Sequence, residues 1–283
     1  MSSAPMPPSA VPPLPLSDAD VVTRLREAGC VFAEDEARLL SAAAGTPAEL
    51  AALVGRRAAG EPLEHVLGWA EFCGHHYAVD PGVFVPRRRT EFLIWQAADR
   101  GRPLADAAAA GGRPVVVVDL CCGSGALGAA LAAVLGRAEL HAADIDPAAV
   151  RCARRNVAAA HGRVYQGDLY QPLPAGLRGR VDILLANVPY VPTGEIALLP
   201  AEARLHEARL GLDGGADGLD LLRRVAAQAA SWLAPGGHLL TETSGRQAAL
   251  ATEIMAGHGL AAQAIVSSEW NSAVVAGSRE TRP

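Results

Sequence analysis

Each of four successive, mostly apolar runs in the middle of the chain ends in an acidic or amide side chain: Asp119, Asp144, Asp168 and Asn187. Continuous apolar runs are typical of parallel strands that are buried on both faces of a sheet. In open α/β sheets, ligands bind at the carboxyl ends of the strands. The spacing therefore predicts one binding site along a sheet edge, rather than unrelated loop charges in solvent.

A glycine-rich turn, residues 121–125, connects the first of these runs to a helical pattern. Glycines allow a ligand to approach the backbone closely, and a helix start offers free N–H groups. Alone, the turn indicates equally a nucleotide site or a tight strand–helix connection. The spacing of Gly123, Gly125 and Gly128 also matches the dinucleotide pattern, so the turn by itself does not exclude NAD. Asp144, about twenty residues further on, is placed to accept both hydroxyls of a ribose, which favours a nucleotide-containing ligand.

The fourth run leads into Asn187-Val188-Pro189-Tyr190. The side-chain oxygen of Asn187 and the main-chain carbonyl of Val188 can each accept an N–H from an amide or amine. This would aim the nitrogen lone pair at a sulfonium methyl group, while Tyr190 packs against the planar acceptor. Taken alone, the segment would be interpreted as an ordinary Asn-initiated turn. Its position after the glycine turn and the three acids favours methyl transfer to nitrogen.

Together these segments resemble the PrmC/HemK-type protein glutamine N5-methyltransferases. The glycine turn, Asp144 and the segment 187–190 are similar to that family's cofactor and amide-binding motifs. The similarity extends over nearly the whole chain after the N-terminal tail. It includes Gly60-Glu61-Pro62-Leu63 with Gly68 and Glu71-Phe72, residues 81–87 with Thr90-Glu91, and Glu207 followed by Leu212, Gly214-Gly215 and Asp217-Gly218-Leu219.

The resemblance implies S-adenosyl-L-methionine as cofactor and a glutamine of a peptide-chain release factor as acceptor. It implies that Asn187, Val188, Pro189 and Tyr190 are catalytic. The cofactor-binding residues that it implies are Asp119, Cys121, Gly123, Gly125, Asp144, Ile145, Asp168, Leu169, Asn187, Arg87 and Thr90. We predict no metal site, because the pair His75-His76 lacks further ligands at a suitable spacing.

The chain departs from the family pattern at four positions. Val188 stands where the family's usual loop has a proline, and Arg88 and Arg89 stand where it has Pro-Glu. Ala208 replaces a proline expected after Glu207. These departures indicate a divergent paralogue and leave the acceptor open. The run Arg87-Arg88-Arg89 could equally bind a phosphate or acidic partner, or be a solvated surface.

From Val115 onward, strand-like and helix-like segments alternate, which is typical of an α/β fold. With the resemblance, this predicts a Rossmann-like class I S-adenosylmethionine-dependent methyltransferase domain with a seven-stranded, mostly parallel sheet. A small N-terminal helical domain and a linking β-hairpin should precede it. The expected boundaries are a disordered Pro-rich tail at 1–16, a helical substrate-recognition domain at 17–70, a hairpin and interdomain linker at 71–112, and the methyltransferase domain at 113–283.

Within these boundaries, some elements are predicted individually. Helical patterns follow Ser17 and Thr46, which are expected to cap them. The hairpin should combine residues 72–77 with 83–85. A helix is expected to begin at Glu91 and to end near Asp99, before an irregular domain transition at 100–114.

Composition limits the functional classes that the chain can belong to. Half of its 283 residues are hydrophobic, which excludes a mostly disordered protein. The net charge of −5 argues against stable binding to duplex nucleic acid. There is no apolar run long enough to span a bilayer and no signal-peptide pattern, so a cytoplasmic protein is expected.

Three acceptor classes remain open from the sequence. The first is a protein glutamine in a release factor, and the second is a small-molecule amine or amide such as a secondary metabolite. The third, less favoured by the acidic composition, is a base amino group of a nucleic acid. A cofactor-binding protein without turnover is the non-enzymatic alternative, and the presence of Asn187 and Tyr190 weighs against it.

Overall fold

The computed structural model describes residues 16–280, whose contacts divide the chain into two compact units, one ending at Leu67 and the other beginning at Gly68. Residues 1–15, which make up most of the predicted Pro-rich tail, lie outside the described residues, as do 281–283. Leu16, the last residue of that predicted tail, packs against the apolar core of the first unit.

The first unit is built from α1 Asp18–Glu27, α2 Ala33–Ala43, α3 Pro47–Ala58 and α4 Leu63–Leu67. The predicted caps are confirmed. The Ser17 side chain accepts from the Asp20 amide and Thr46 accepts from that of Glu49, and in each pair the acid accepts from the cap in return. Such reciprocal bonds satisfy amides that the first helical turn leaves unpaired. The starts of α1 and α3 are therefore determined by local sequence.

The core of the first unit combines apolar side chains with one buried ion pair. Leu25, Leu40 and Val54 are fully buried. Glu36 of α2 and Arg57 of α3 are also buried and are joined by a hydrogen bond of 2.6 Å between Arg57 Nε and Glu36 Oε2. Because an unpaired charge would be costly there, the pair holds these two helices in one relative position.

The second unit begins with an antiparallel hairpin of β1 Trp69–Phe72 and β2 His75–Ala78. Cys73 and Gly74 form its two-residue turn, and both have positive φ, as a tight hairpin turn requires. The predicted hairpin is confirmed at this place, but residues 83–85 lie outside both strands. Pro81 cannot donate to a strand ladder and Gly82 has a φ of 83°, so the chain leaves the hairpin before reaching Val83.

The next helix, α5 Glu91–Ala110, is twice as long as predicted. The expected end near Asp99 is wrong, and the helix continues through Pro103 into the segment interpreted as a domain transition. Gly101 and Ala108 are buried on the same face as the apolar residues of the first turns. This buried face and the alanine-rich sequence outweigh the cost of one proline, whose ring lies on the exposed side.

The remaining strands and helices follow in the order β3 Val115–Leu120, α6 Ala126–Leu135, β4 Ala138–Asp144, α7 Pro147–Asn156, β5 Arg163–Gln166, β6 Val181–Ala186, α8 Ala201–His206, α9 Asp220–Trp232, β7 Leu233–Thr243, α10 Ala248–Gly257, β8 Ala261–Ser267 and β9 Ser272–Ser278. Short 3-10 turns lie at Arg88–Thr90, Ala158–Ala160, Ala175–Leu177, Thr193–Leu198 and Arg209–Gly211. Within residues 16–280, no helix has both the length and the apolar character needed to cross a membrane.

Strands β3 to β9 form one seven-stranded sheet in the order β5-β4-β3-β6-β7-β9-β8. Neighbours from β5 to β7 pair in parallel, whereas β9 pairs antiparallel with both β7 and β8. The predicted seven-stranded, mostly parallel α/β sheet is confirmed. Every residue of β3 and of β6 is buried, as expected for central strands covered by helices on both faces.

The two faces of the sheet have separate apolar cores. Val116 and Val118 of β3 point into the core that contains Trp232 of α9. Val117 points to the opposite core, which contains Leu93 of α5 and the apolar face of α6. Alternation along a single strand thus fastens helices to both faces.

Replacing Pro103 with alanine should stabilise the protein. The substitution restores a backbone N–H within α5 and removes a strong helix breaker from an exposed position, at no packing cost. Allowing for the greater freedom of the unfolded chain, the gain should be about 1–2 kcal/mol. Calorimetry should show a higher Tm. Pro47→Ala, at the first position of α3 where proline is favourable, is the control and should not raise Tm. A lower Tm for Pro103→Ala would mean that α5 depends on the proline.

Candidate functional site

The carboxyl ends of the parallel strands line a cavity of about 350 Å³ within the second unit. Its wall is formed by parts of segment 82–89, the turn 121–124, residues 143–146 and 149, residues 167–169, loop 187–191, segment 199–212, and Leu221 and Arg224 of α9. Of the residues predicted for the site, those on this wall are Arg87, Cys121, Gly123, Asp144, Ile145, Asp168, Leu169, Asn187, Val188, Pro189 and Tyr190.

Strand order explains why these distant segments meet. Strand β3 lies between β4 and β6, and Asp119 is in register with Ala142 on one side and with Leu185 on the other. The glycine turn, the acid at the end of β4 and the loop after β6 therefore leave the sheet side by side. The sequence predicted a shared edge, and the pairing of β3 with β6 brings loop 187–191 next to the glycine turn.

Asp144 is fixed by the backbone on either side of it. Its Oδ2 accepts from the Gly123 amide at 2.8 Å and its Oδ1 accepts from the Asp146 amide at 2.9 Å. Burial raises the pKa of Asp144, and these two amides oppose that shift. Each carboxylate oxygen has a second lone pair, so the group can receive two further hydroxyls from the cavity.

Asp119 lies behind the glycine turn and not on the cavity wall. It is almost fully buried, and its Oδ2 accepts from the Gly128 amide at 2.9 Å. Its Oδ1 has no hydrogen-bond partner among residues 16–280. Burial raises its pKa to about 7; the Gly128 amide acts against this shift and the Asp144 charge adds to it. Asp119 thus holds the start of α6 against β3.

Gly125 and Thr90, also predicted as cofactor ligands, do not line the cavity. Gly125 has a φ of 77°, and a Cβ there would lie 3.0 Å from the Cβ of Ala153, so the glycine allows the turn to pack on α7. Thr90 is buried at the start of α5. The contribution of both residues to the wall is therefore indirect, through the backbone that they position.

Asn187 has an unsatisfied acceptor in the catalytic loop predicted from the sequence. Its Oδ1 is buried and has no hydrogen-bond partner within the described part of the chain. Buried polar groups are rarely left unpaired, so this atom is suited to an N–H donor from a ligand. The loop around it is held by Gln247, whose Nε2 donates to the Tyr190 carbonyl at 2.9 Å, and by the Val191 amide, which donates to Leu212 at 3.2 Å.

The arginine run does not behave as one surface. Arg87 pairs with the buried carboxylate of Glu207, and Arg89 pairs with Glu242 and with the Tyr190 hydroxyl. Both line the cavity, whereas Arg88 is exposed and is not part of the wall. The run is therefore neither a single solvated patch nor one continuous anion site.

Segment 82–87 is joined to the chain that follows α8. The Val85 amide donates to Glu207 Oε1 at 3.4 Å, and the Ala208 amide donates to the Gly82 carbonyl at 3.3 Å. A proline at position 208 would lack that donor. The departure at Ala208 therefore gives this chain a hydrogen bond between two segments of the cavity wall that the family's usual residue could not make.

Sequence reasoning missed several residues on or beside the wall. Arg224 of α9 pairs with Asp168, and Glu242 of β7 binds Arg89 and Tyr190. No motif marks these positions, because each lies more than fifty residues from its partner in the chain. Segment 199–212, which was not assigned to the site, supplies another, mostly apolar part of the wall together with Glu202.

Comparison with known proteins identifies the family. Residues 104–217 match the family model of the methyltransferase small domain. The chain is 39% identical over 212 residues to the release factor glutamine methyltransferase of Mycolicibacterium smegmatis, covering 74% of this chain and 72% of that protein. The chain belongs to the release factor glutamine methyltransferase family. The predicted methyltransferase family is confirmed.

Other family members and relatives show where this similarity becomes less specific. The match to the release factor glutamine methyltransferase of Geobacter sulfurreducens has 40% identity and spans 69% of this chain but 66% of that relative's length. A relative from Streptomyces pristinaespiralis, 38% identical over 69% of this chain and 65% of its own, is named a 4-amino-L-phenylalanine/4-methylamino-L-phenylalanine methyltransferase. Similar sequences thus carry names with different acceptors.

Solved structures support the fold. The catalytic domain of hMettl16, solved with an RNA hairpin, matches 82% of this chain and 82% of its own with a TM-score of 0.53 at 14% sequence identity. At that identity the match concerns architecture alone. It agrees with the predicted Rossmann-like class I methyltransferase fold.

The residues on the wall fit S-adenosyl-L-methionine. Asp144 offers two acceptor oxygens to vicinal hydroxyls, and the turn at Gly123 leaves room for the ligand. A Cβ at Gly123 would come within 3.9 Å of the Phe84 Cβ across the cavity, and its φ of 53° disfavours other residues. Asn187, whose buried Oδ1 has no hydrogen-bond partner within residues 16–280, belongs to the same wall.

Replacing Asp119 with asparagine should change how stability depends on pH. Because the folded pKa of about 7 exceeds the usual value for Asp, the folded state keeps a proton that the unfolded state loses above about pH 4. Wild-type stability should therefore fall between about pH 4 and 7, by at most ~1.4 kcal/mol per pH unit from this group. Asp119→Asn cannot ionise and should not share that loss.

The measurement is Tm as a function of pH for both proteins. The difference in Tm, variant minus wild type, should increase from pH 5 to pH 8. These pH values lie about one unit above the usual pKa of Asp and about one unit above the folded pKa of Asp119. An unpaired amide in the variant would shift its Tm by a similar amount at each pH and would not change this slope. Parallel Tm profiles would show that Asp119 is ionised throughout.

Proposed function

We propose that this protein transfers a methyl group from S-adenosyl-L-methionine to the side-chain amide nitrogen of a glutamine in a protein such as a peptide-chain release factor. The observation that carries the proposal is the buried, unpartnered Oδ1 of Asn187 on the cavity wall beside Val188. An amide N–H is the group that such an acceptor requires. The family to which the chain belongs supports the same acceptor chemistry.

The cofactor would be held by the wall on the β4 and β5 side. Asp144 would accept the ribose hydroxyls, and the backbone of Cys121 and Gly123 would lie against the ligand. Ile145, Asp168 and Leu169, with Arg87 on the opposite wall, would complete the cofactor part of the cavity. Asp119, Gly125 and Thr90 would support this part from behind.

The acceptor would be oriented by the loop after β6. S-adenosyl-L-methionine, when bound, supplies an electrophilic methyl group on its sulfonium. Asn187 Oδ1 and the Val188 carbonyl would accept the two N–H groups of the amide, and Tyr190 would pack on its plane. Correct orientation is worth up to about 7–11 kcal/mol in favourable reactions. The two acceptor oxygens would also stabilise positive charge that develops on nitrogen, until its proton leaves to solvent.

A second candidate is N-methylation of a small-molecule amine or amide. Two observations support it. The relative from Streptomyces pristinaespiralis is named for a small amino acid acceptor, and a cavity of about 350 Å³ lies within the range of small-ligand sites. Arg89, at a position where the family has an acid, gives this chain a cation beside the acceptor loop.

We place the protein in the cytoplasm, because its proposed substrate acts there in translation. The proposed partner is a release-factor-like protein, or a small acceptor in the second case. Stable binding to duplex nucleic acid is not proposed, since the chain carries a net charge of −5.

Transfer of a radiolabelled methyl group to the proteins of a cell lysate tests the proposal. Purified protein, labelled S-adenosyl-L-methionine and lysate are incubated with wild type or with Asn187→Ala. Wild type should label one band of release-factor size. Asn187→Ala should lower the rate by about 10²–10³-fold, as expected when one group that stabilises charge in the transition state is removed. Its affinity for the cofactor, measured by calorimetry, should stay close to that of wild type.

The outcomes separate the two candidates. A labelled glutamine in a single protein supports the first. Absence of protein label, together with label in a small-molecule fraction, supports the second. Loss of cofactor affinity in folded Asn187→Ala would contradict the proposed division between cofactor and acceptor residues.

Asp144→Ala should have the reverse effect. The loss of two charge-assisted hydrogen bonds should weaken cofactor binding by at least about tenfold. Calorimetry with S-adenosyl-L-methionine gives the affinity, and circular dichroism checks that the turn after β3 has kept its fold. Asp146→Ala removes the cap of α7 and a neighbouring carboxylate of the wall, but it keeps the backbone amide that donates to Asp144. It is the control and should bind the cofactor more tightly than Asp144→Ala. Unchanged affinity in Asp144→Ala would refute its role at the ribose.

A further inference from the structure

Three side chains from separate parts of the chain form a closed hydrogen-bonded cluster beside loop 187–191. Arg89 Nε donates to Glu242 Oε1 at 3.2 Å, and Arg89 Nη2 donates to the Tyr190 hydroxyl at 3.0 Å. The Tyr190 hydroxyl in turn donates to the same Glu242 oxygen at 2.8 Å. This cluster links the 3-10 turn before α5, the loop after β6 and the end of β7.

Glu242 requires this arrangement because of where it lies. Its side chain is 2% exposed, near the end of a central strand, and its Oε2 has no hydrogen-bond partner in the described range 16–280. A buried carboxylate with one unpaired oxygen is costly unless a cation is close. Arg89, whose side chain is 48% exposed, supplies that cation from the cavity side.

Tyr190 is a neutral member of this hydrogen-bonded cluster. Burial, and then the nearby Glu242 carboxylate, raise the pKa of the Tyr190 phenol. The hydroxyl therefore keeps its proton at neutral pH and can accept from Arg89 while it donates to Glu242. Both hydrogen bonds meet at the phenol oxygen, so they fix where the Tyr190 hydroxyl lies and thereby the orientation of the side-chain axis.

The backbone alone does not specify that orientation. Gln247 holds the Tyr190 carbonyl, and the Val191 amide is bonded to Leu212, but neither touches the phenol. The planar fork of Arg89 presents two parallel donors, one to each partner, which a point charge does not do in the same way.

We propose that Arg89 is a positioning residue that fixes the ring of Tyr190 on the cavity wall, by bridging its hydroxyl to the buried carboxylate of Glu242. The effect of Arg89 on turnover rests on the proposed function, whereas its effect on the aromatic ring of Tyr190 does not. Arg89 acts through Tyr190 and is not a ligand of the cofactor. The third residue of the run 87–89 thereby gains a role that its neighbour Arg88, which is exposed and does not line the cavity, does not share.

The first experiment observes the aromatic ring of Tyr190 in the absence of any methyl acceptor. The protein has four tyrosines, so selective ¹³C labelling of tyrosine rings gives a simple NMR spectrum, in which Tyr190→Phe identifies the Tyr190 signal. In Arg89→Ala the Tyr190 signal should shift and broaden, while the other three tyrosine signals stay in place. Arg88→Ala, which removes the same charge one residue away, should reproduce the wild-type spectrum.

Two further variants separate positioning from charge. Arg89→Ala combined with Glu242→Gln removes the fork without leaving a buried charge, so it protects the fold if the single variant is unstable, and it should still show the shifted Tyr190 signal. Arg89→Lys keeps the charge but not the fork, and its Tyr190 signal should also differ from wild type. A wild-type Tyr190 signal in both variants would overturn the proposal.

The second experiment measures turnover with the acceptor that the labelling reaction identifies. Arg89→Ala should lower kcat by about tenfold, which corresponds to one lost charge-assisted hydrogen bond, and should change the KM for the cofactor little. In a Tyr190→Phe background, the same substitution should have no further effect on kcat. Equal losses in both backgrounds would show that Arg89 acts on the acceptor directly and would overturn the proposal. If no acceptor is methylated at all, the proposed function fails, and the NMR spectra still decide the role of Arg89.

Discussion

The parallel pairing of β4, β3 and β6 is the constraint on which the site depends. Parallel strands all end at one edge of a sheet, so whatever follows them is gathered into one region. In this chain the glycine turn, Asp144 and the loop of Asn187 follow three neighbouring strands. A different strand order would leave each of these segments intact and separate them by the width of a strand or more.

The two halves of the cavity are stabilised in different ways. On the cofactor side, short-range hydrogen bonds fix the wall: the Gly123 and Asp146 amides hold Asp144, and the Gly128 amide holds Asp119. On the acceptor side, long-range contacts dominate, since Gln247 and Glu242 come from elements that follow the loop by more than fifty residues. The hydrogen bonds that hold Asp144 and Asp119 thus join residues at most 21 positions apart, whereas those that hold the loop after β6 join distant elements. The pairs of Asp168 with Arg224 and of Arg87 with Glu207 are also long-range.

This division bears on how the family could change its acceptor. The glycine turn and its acid are shared in their form by many nucleotide-binding sheets, and their hydrogen bonds here join residues no more than 21 positions apart. Three of the four departures of this chain from the family pattern lie elsewhere on the wall. Val188 and Arg89 border the proposed acceptor region, and Ala208 bonds to Gly82 of segment 82–87. Substitutions at these places can reshape acceptor recognition while the cofactor half stays the same.

The sequence alone determined the class of fold, the alternation of strands and helices that begins at Val115, and the eleven predicted residues that lie on the wall. It could do so because apolar runs, capping residues and glycine turns act within a few residues of one another. Helices α8 and α10 were not predicted. The extent of α5 could not be read in this way, because Pro103 predicts an end that burial of the opposite helix face overrides. The sequence also did not predict the hydrogen-bonded cluster of Arg89, Tyr190 and Glu242. It did not predict the pairing of Arg87 with Glu207 or the placement of Asp119 behind the wall. These depend on which side chains meet across the sheet edge, and only the packed tertiary structure decides that.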